Sequence, residues 1–269
     1  MSAATATVAA GEGRIGLRGN LRHIGALVRR NLLWIRQDPE SMFDAVLMPI
    51  VFTLLFVFVF GGAIAGKDNQ EQYVNYVVPG MMAMMGMNLA MGVGTGFNQD
   101  FQTGVMDRFR SLPIARSSVL LAKIAVEICR MLVATTILLT VGFMLGLSVQ
   151  NVAGMFAAIG LSLTFGSAIM WIFLTMGVMM KNAQAIQGMG MLVLLPLQFG
   201  SSIFAPTSSM PGWLQAFTEY NPLSTLADAA RGLMNGGPVA HSVSITLLWS
   251  VAITAVMAPV SIRVFRTKS

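Results

Sequence analysis

Long stretches without a charged side chain limit what this sequence can fold into. Residues 131–180 include no Asp, Glu, Lys or Arg. A helix needs about 20 predominantly apolar residues to cross a bilayer. In the whole chain 10% of residues are charged and 55% are hydrophobic, whereas a soluble domain has about 25% charged residues. The sequence therefore predicts an all-α polytopic membrane protein, since the alternating segments of about ten residues that mark a β-barrel are absent.

We predict six transmembrane helices in the 269-residue chain. Their predicted ranges are 45–65, 76–97, 131–147 with a polar approach from Val119, 152–180, 185–204 and 243–264. The third and fourth ranges are so close that they predict an antiparallel hairpin. Two short external helices are expected between spans five and six, one in PGWLQAFTEY and one that starts at Pro222 behind an Asn221 cap. An Asp228–Arg231 pair would support the second helix, and both helices would form a surface lid or re-enter the membrane partly.

The basic residues fall almost entirely on one side of the predicted spans. Fifteen of the 17 Lys and Arg residues lie before span one, between spans two and three, between spans four and five, or from Arg263 at the end of span six onward. Only Lys67 and Arg231 lie on the other side. Because Lys and Arg accumulate in cytoplasmic loops, this split predicts that both termini are cytoplasmic. Basic residues at membrane ends therefore indicate topology rather than nucleic-acid binding.

The segment before the first span is predicted to lie on the membrane surface. Residues 1–20 are small and polar, so we expect a disordered cytoplasmic tail, followed by one transmembrane domain over residues 21–269. Apolar residues then recur at helical spacing, and Arg22, Arg29 and Arg36 stand seven positions apart beside them. This pattern predicts an amphipathic interface helix whose arginines face anionic headgroups.

No enzyme chemistry is predicted for this chain. GGAIAGKD resembles a phosphate-binding loop, but Asp68 stands where the loop needs Ser or Thr to hold Mg²⁺. His23 and His241 lie on opposite sides of the predicted membrane, and Cys129 is the single cysteine, so no metal site is expected. The span centres lack ionisable groups, which disfavours a proton-coupled carrier. Energy for transport would have to come from a partner.

Three charged residues mark the cytoplasmic entry to span three. Lys123, Glu127 and Arg130 are four and three residues apart and therefore lie on one helical face. Glu127 can satisfy both cations, which predicts a structural ion network. A gating role is the alternative.

Span two is rich in methionine, a flexible and polarizable side chain that suits promiscuous surfaces. One interpretation is a substrate path. The simpler interpretation is lipid-facing or core packing. The candidate path residues are Met84, Met87, Asn88 and Met91.

Charge, an aromatic residue and a proline come together between spans two and three. Residues 104–123 read GVMDRFRSLPIARSSVLLAK. The positive-inside rule explains the arginines, but it does not explain Phe109 and Leu112 in a cytoplasmic loop. Pro113 would end a short helix there. The stretch therefore predicts a compact amphipathic knob at the membrane surface.

With this stretch and with NPLSTLADAARGLMNGGP at residues 221–238, the chain resembles ABC-2 type transporter permeases, in particular the daunorubicin/doxorubicin-resistance type of actinobacteria. The resemblance implies that the knob is a coupling helix, which inserts into a groove of a separate ABC ATP-binding subunit. Phe109 would be the anchor of that interface. Many relatives carry Glu where Asp107 stands, and the carboxylate is kept. The implied coupling residues are Gly104, Asp107, Arg108, Phe109, Arg110, Leu112 and Pro113.

By this resemblance the chain is expected to be the permease subunit of an ATP-driven exporter for a hydrophobic or amphiphilic substrate, drug or lipid-like. ATP and Mg²⁺ would bind to the partner subunit, and this chain would need no cofactor. A second permease copy or a homologous permease would complete the assembly in a bacterial plasma membrane. Two alternatives stay open: a membrane scaffold or assembly subunit that transports nothing, and a proton-coupled carrier.

Overall fold

The computed structural model describes residues 47, 50–61, 70–104 and 116–268, and every regular element in these ranges is helical. The predicted tail and the interface helix with Arg22, Arg29 and Arg36 lie outside them. The all-α class is thus confirmed for the described ranges. In chain order the elements are α1 (Ile50–Val59, with π-helical geometry over Phe56–Phe60), α2 (Gln70–Gln102), α3 (Arg116–Met144), α4 (Val152–Met179), α5 (Ala183–Phe199), a short 3₁₀ helix (Thr207–Ser209), α6 (Gly212–Tyr220), α7 (Pro222–Asn235) and α8 (Ala240–Lys268).

Four helices of the described ranges are long and apolar enough to cross a membrane, namely α2, α3, α4 and α8. α1 and α5 are apolar but shorter, so the prediction of six full spans is not confirmed. The fifth span was expected to reach residue 204, yet α5 ends at Phe199. The reason lies in the fold: the carbonyl of Gly200 accepts hydrogen bonds from the side chains of Thr218 and Asn221, which hold the chain in a turn.

The predicted hairpin of the third and fourth spans is confirmed. α3 ends at Met144, and the chain turns at Gly146, whose φ of 98° is a left-handed conformation that favours glycine. The side chain of Asn151 then accepts a hydrogen bond from the backbone N–H of Gly154 and caps the start of α4. Two membrane-length helices therefore run antiparallel across a short connection.

α4 is the central helix of the bundle and packs mainly against α2 and α8. Glycines allow the close approach between α2 and α4. A Cβ atom at Gly177 would lie 2.7 Å from the carbonyl oxygen of Gly94, and one at Gly94 would lie 2.6 Å from the carbonyl oxygen of Phe173. Small residues of this kind let helix backbones meet in a membrane, where van der Waals packing and hydrogen bonds drive association.

α7 re-enters the bundle instead of lying on its surface. It contacts α2, α4 and α8, and most of its side chains are buried. Its predicted start is confirmed, since the Asn221 carboxamide oxygen accepts a hydrogen bond from the backbone N–H of Leu223. α6 differs because its aromatic residues Trp213 and Tyr220 are 75% and 79% exposed. Of the two predicted external helices, one is thus a surface helix and the other a re-entrant one.

The two ends of the bundle differ in charge. At the basic end, defined here by Lys123, Lys181 and Arg263, Phe97 and Phe101 of α2 pack against Phe265 of α8. At the opposite end, called the Arg231 end, the backbone N–H of Ser148 donates to Asn75 and α7 begins its return into the bundle. Basic residues that the sequence placed on one side of the membrane therefore share one end of the structure.

Candidate functional site

The predicted coupling segment starts at the basic end, where α2 stops. α2 ends at Gln102, and Gly104 adopts a φ of 72°, a left-handed conformation that terminates helices. α3 begins at Arg116. The structure thus describes the two helices that carry the segment, together with the position of Gly104. The other predicted coupling residues, Asp107, Arg108, Phe109, Arg110, Leu112 and Pro113, lie outside the described residues.

Two amides near the end of α2 bind the end of α4. The side-chain N–H₂ of Asn98 donates to the carbonyl oxygens of Gly177 and Met180, at 3.0 and 2.8 Å. Gln102 donates to the carbonyl oxygen of Lys181 at 2.9 Å and to the side chain of Asn98 at 3.0 Å. Since the last carbonyls of a helix have no partner within it, these amides cap α4 and join its end to that of α2.

The predicted ion network is only partly correct. Arg130 pairs with Glu127 at 3.0 Å, as expected for neighbours on one helical face. Lys123 forms its ion pair with Asp100 of α2 and not with Glu127. The spacing in the sequence shows only neighbours within α3, whereas the packing of α2 against α3 brings a nearer carboxylate to Lys123. The two salt bridges therefore have different roles, one within α3 and one between α2 and α3.

The four residues of the predicted substrate path are divided between the interior and the surface of the chain. Met84 and Met87 are buried. Asn88 is exposed, and its side-chain oxygen accepts a hydrogen bond from Gln198 of α5 at 3.1 Å. Met91 is partly buried, near Gly190 of α5. Within a single chain, Asn88 and Met91 are thus the members that a passing molecule could contact, and the path as a whole stays a prediction.

A polar stripe continues from Asn88 along α2 toward the basic end. Asn88, Gly92, Thr95 and Gln99 succeed one another at intervals of four, three and four residues, which places them on one helical face. Asn88, Gly92 and Gln99 are exposed and Thr95 is partly so. A Cβ atom at Gly92 would meet nothing within 4 Å. Polar groups that face hydrocarbon are costly, and among the described residues nothing covers this face of α2.

Arg231 forms a clamp at the opposite end. Its five N–H groups donate to the carbonyls of Tyr76, Ser202 and Ile203, to the Ser202 hydroxyl and to Asp228. The guanidinium also lies over the Tyr76 ring, 3.7 Å from its centroid. Burial lowers the pKa of Arg231, and the neighbouring Tyr76 and Asp228 oppose that shift. The clamp joins α2, α7 and the turn after α5, and it confirms the predicted Asp228–Arg231 pair.

The residues that prediction missed carry a partial signal in the sequence. Asn98, Asp100 and Gln198 are polar residues in or beside apolar helices, and such positions mark interhelical contacts. Asn98 and Gln198, however, bind partners about 80 or more residues away in the chain. Spacing along one helix could not identify such partners. Asn221 shows the same limit: its capping oxygen was predicted, but its N–H₂ group also donates to the Leu197 and Gly200 carbonyls at the end of α5.

The membrane-length helices, the re-entrant α7 and the amide caps at the basic end define a multi-pass α-helical membrane protein. The chain belongs to the ABC-2 type transporter family, whose match covers residues 22–235. This match includes the predicted coupling segment and α7. The family resemblance inferred from the two motifs is thereby confirmed.

Two permeases illustrate the similarity within this family. The daunorubicin resistance ABC transporter permease protein DrrB1 of Streptomyces coeruleorubidus is 34% identical over 241 residues, which cover 89% of this chain and 84% of the relative. The probable doxorubicin resistance ABC transporter permease protein DrrC of Mycobacterium tuberculosis is 26% identical over 226 residues, with 84% and 81% covered. The similarity thus extends over most of the chain and is not confined to one motif.

Proposed function

We propose that this chain is the transmembrane permease subunit of an ATP-driven exporter, which moves a hydrophobic or amphiphilic compound out of the cell. A separate ABC ATP-binding subunit would bind ATP and Mg²⁺. A second copy of this chain or a homologous permease would complete the membrane part. The basic end would face the cytoplasm, with both termini on that side of the bacterial plasma membrane. The names of the two relatives suggest anthracyclines such as daunorubicin as test compounds.

The observation that carries this proposal is the joining of the helices on either side of the predicted coupling segment. Before it, Asn98 and Gln102 join the end of α2 to the end of α4. After it, Lys123 of α3 pairs with Asp100 of α2. A displacement of the segment would therefore move α2, α3 and the end of α4 together, because packed helices move as rigid bodies. This is the mechanical property that a partner ATPase needs in order to act on the membrane helices.

The polar stripe on α2 supplies a route for the substrate. Asn88, Gly92, Thr95 and Gln99 carry no charge, and they occupy the half of α2 nearest the basic end. The same face of a second permease could enclose this stripe and remove it from lipid. An uncharged polar wall suits a compound with hydroxyl, carbonyl or amide groups attached to an apolar body. Met91 borders the stripe and would contact the apolar part.

Replacement of Phe109 tests the proposal at the segment itself. The tagged chain is produced together with its ABC ATP-binding subunit, and co-purified ATPase and daunorubicin efflux are measured. A buried aromatic anchor is worth about 2 kcal/mol or more at an interface, so Phe109→Ala should lower ATPase retention by about 30-fold. Trp213→Ala is the matched control, since it removes an exposed aromatic ring from the Arg231 end and should leave both measurements unchanged.

The alternatives give different results in the same experiment. If Phe109→Ala left both ATPase retention and efflux at the wild-type level, the coupling role would be wrong. A scaffold subunit would retain the ATPase, yet the wild-type complex would show no ATP-dependent efflux of any test compound. A proton-coupled carrier would continue efflux without ATP and stop when the proton gradient collapses.

A further inference from the structure

A cavity of about 430 Å³ lies between α1, the end of α5 and the turn that follows α5. Its walls are almost entirely hydrocarbon. The one hydroxyl among the lining side chains belongs to Ser201, and it donates to the carbonyl oxygen of Gln198 and accepts from the backbone N–H of Ile203. The cavity therefore offers little to a water molecule or to a charged group. The lining residues are Phe52, Leu55, Phe56, Phe199, Ser201, Phe204, Ala205 and Met210.

The back wall of this cavity is held rigidly. The Tyr76 hydroxyl donates to the carbonyl oxygen of Ser202 at 2.7 Å, and the Tyr73 hydroxyl donates to that of Phe204 at 3.2 Å. Arg231 binds the carbonyls of Ser202 and Ile203 from the same side. A turn fixed by this many hydrogen bonds keeps Phe204 in place, so this wall of the cavity is formed before any ligand arrives, which reduces the cost of binding.

The cavity lies at membrane depth and not in the headgroup region. Thr53 of α1 bonds to Met81 of α2, and Gly61 lies against Tyr73. Phe56 is therefore level with the α2 residues between these two contacts, roughly two helical turns or 10 Å inside the membrane-length part of α2. The exposed side chains of Leu55, Phe58 and Phe199 surround this region. Among the described residues the open side is bordered by apolar side chains, so at this depth it would face the hydrocarbon of one leaflet.

Aromatic rings define the shape of the site. Phe56 stacks on Phe204 with 4.2 Å between ring centroids and 12° between ring planes, and Phe199 lies 5.5 Å from Phe204. The volume falls within the range of about 300–1,000 Å³ that is usual for ligand pockets. A close-packed membrane helix bundle seldom leaves such a space next to lipid unfilled. The chemistry that fits the walls and the surroundings is a single hydrocarbon chain.

We propose that this cavity is a binding site for one acyl chain of a bilayer phospholipid in the leaflet at the Arg231 end. The chain would fill the space between α1 and the end of α5 and would join α1 to the rest of the bundle. The Arg231 clamp would act as the support of this lipid site. The proposal goes beyond the exporter function, because it depends neither on a partner ATPase nor on transport.

Photolabelling in nanodiscs tests this proposal on the full-length chain. The nanodiscs contain a phosphatidylcholine with a diazirine in its acyl chain, and labelled peptides are identified by mass spectrometry. We expect the strongest labelling on the peptides of residues 199–210 and around Phe56. Ala205→Phe fills the cavity and should reduce this labelling by about tenfold or more, since a filled cavity admits no chain. Ala252→Phe adds the same ring on an exposed face of α8 and should change nothing.

A second variant keeps the test valid if the first one misfolds. Leu55→Trp fills the cavity from the α1 side and should reduce the labelling in the same way. If both variants fold, as judged by their size-exclusion profile, and keep wild-type labelling, the site is wrong. Labelling of residues 199–210 that is no stronger than that of the exposed α8 face would also overturn it. If daunorubicin displaced the label, the cavity would belong to the exported compound, and the assignment to lipid would fail.

Discussion

The Arg231 clamp makes a quantitative prediction about stability. In Arg231→Met all five hydrogen bonds and the contact with the Tyr76 ring disappear, while a side chain of similar length remains. The side chain of Arg231 is 12% exposed, so water cannot easily replace it. Its partner Asp228 is 49% exposed and can be hydrated after the change. Most of the loss therefore comes from the bonds to backbone carbonyls and not from the ion pair.

The size of this loss follows from the bonding pattern. Hydrogen bonds in membrane proteins contribute about 0.6 kcal/mol each on average, so the four bonds other than the one to Asp228 give about 2 kcal/mol. The contact with the Tyr76 ring adds about 0.5–1 kcal/mol, which brings the expected loss to about 3 kcal/mol. Arg231→Lys keeps the charge, but it offers three donors on one nitrogen and cannot reach three separate carbonyls. We expect it to lose about 1–2 kcal/mol.

Equilibrium unfolding in mixed micelles measures these differences. The purified chain is titrated with SDS, and unfolding is followed by far-UV circular dichroism and tryptophan fluorescence. Arg263→Met is the matched control, because it removes an exposed arginine from α8 and should change the free energy of unfolding by about 0.5 kcal/mol or less. If Arg231→Met were no less stable than Arg263→Met, the clamp would not hold the turn after α5, and the explanation of the neighbouring cavity would fail with it.

Two further changes probe the packing of α2 and its polar stripe. Gly177→Ala places a methyl group 2.7 Å from the carbonyl oxygen of Gly94 and should lower the free energy of unfolding by about 1–3 kcal/mol. The control is Gly160→Ala, whose methyl group meets nothing within 4 Å. It should preserve or raise the free energy of unfolding in the same titration. Gln99→Leu should leave stability unchanged but reduce kcat/KM for ATP-dependent daunorubicin transport by about fivefold, as expected for one lost hydrogen bond. The control is Thr136→Leu, which also replaces a polar side chain with leucine but lies on the exposed face of α3, and it should not affect transport. Equal losses of kcat/KM in both variants would contradict a path along α2.

Local features of the fold were predictable because their causes lie within a few residues. The α3–α4 hairpin follows from two apolar runs with a short polar connection, and the start of α7 follows from Asn221 and Pro222. The Asp228–Arg231 pair follows from helical spacing. Each of these features needs no information about which helix lies next to which. The same is true of the basic residues at one end of the bundle, because their distribution follows from how Lys and Arg are placed relative to the membrane and not from helix packing.

Features that depend on neighbouring helices were predicted less well. Lys123 was assigned to Glu127 because the two share one face of α3, but α2 brings Asp100 to Lys123. The fifth helix was expected to continue to residue 204. The chain turns earlier because Thr218 of α6 and Asn221, which caps α7, donate hydrogen bonds to the Gly200 carbonyl. Met84 fitted either a substrate path or core packing by its residue type, and the structure buries it.

The sequence by itself determined that this chain is a helical membrane protein, which end of it is basic, and where the connection between α2 and α3 must lie. These properties follow from hydropathy, charge and local capping, which act along the chain. Only the tertiary structure decided that α7 re-enters the bundle, that Arg231 joins α2 to the turn after α5, and that an uncharged polar stripe on α2 is left exposed by the part of the chain that the structure describes. These depend on which faces of distant segments approach each other, because interhelical hydrogen bonds and close packing form between residues far apart in the chain.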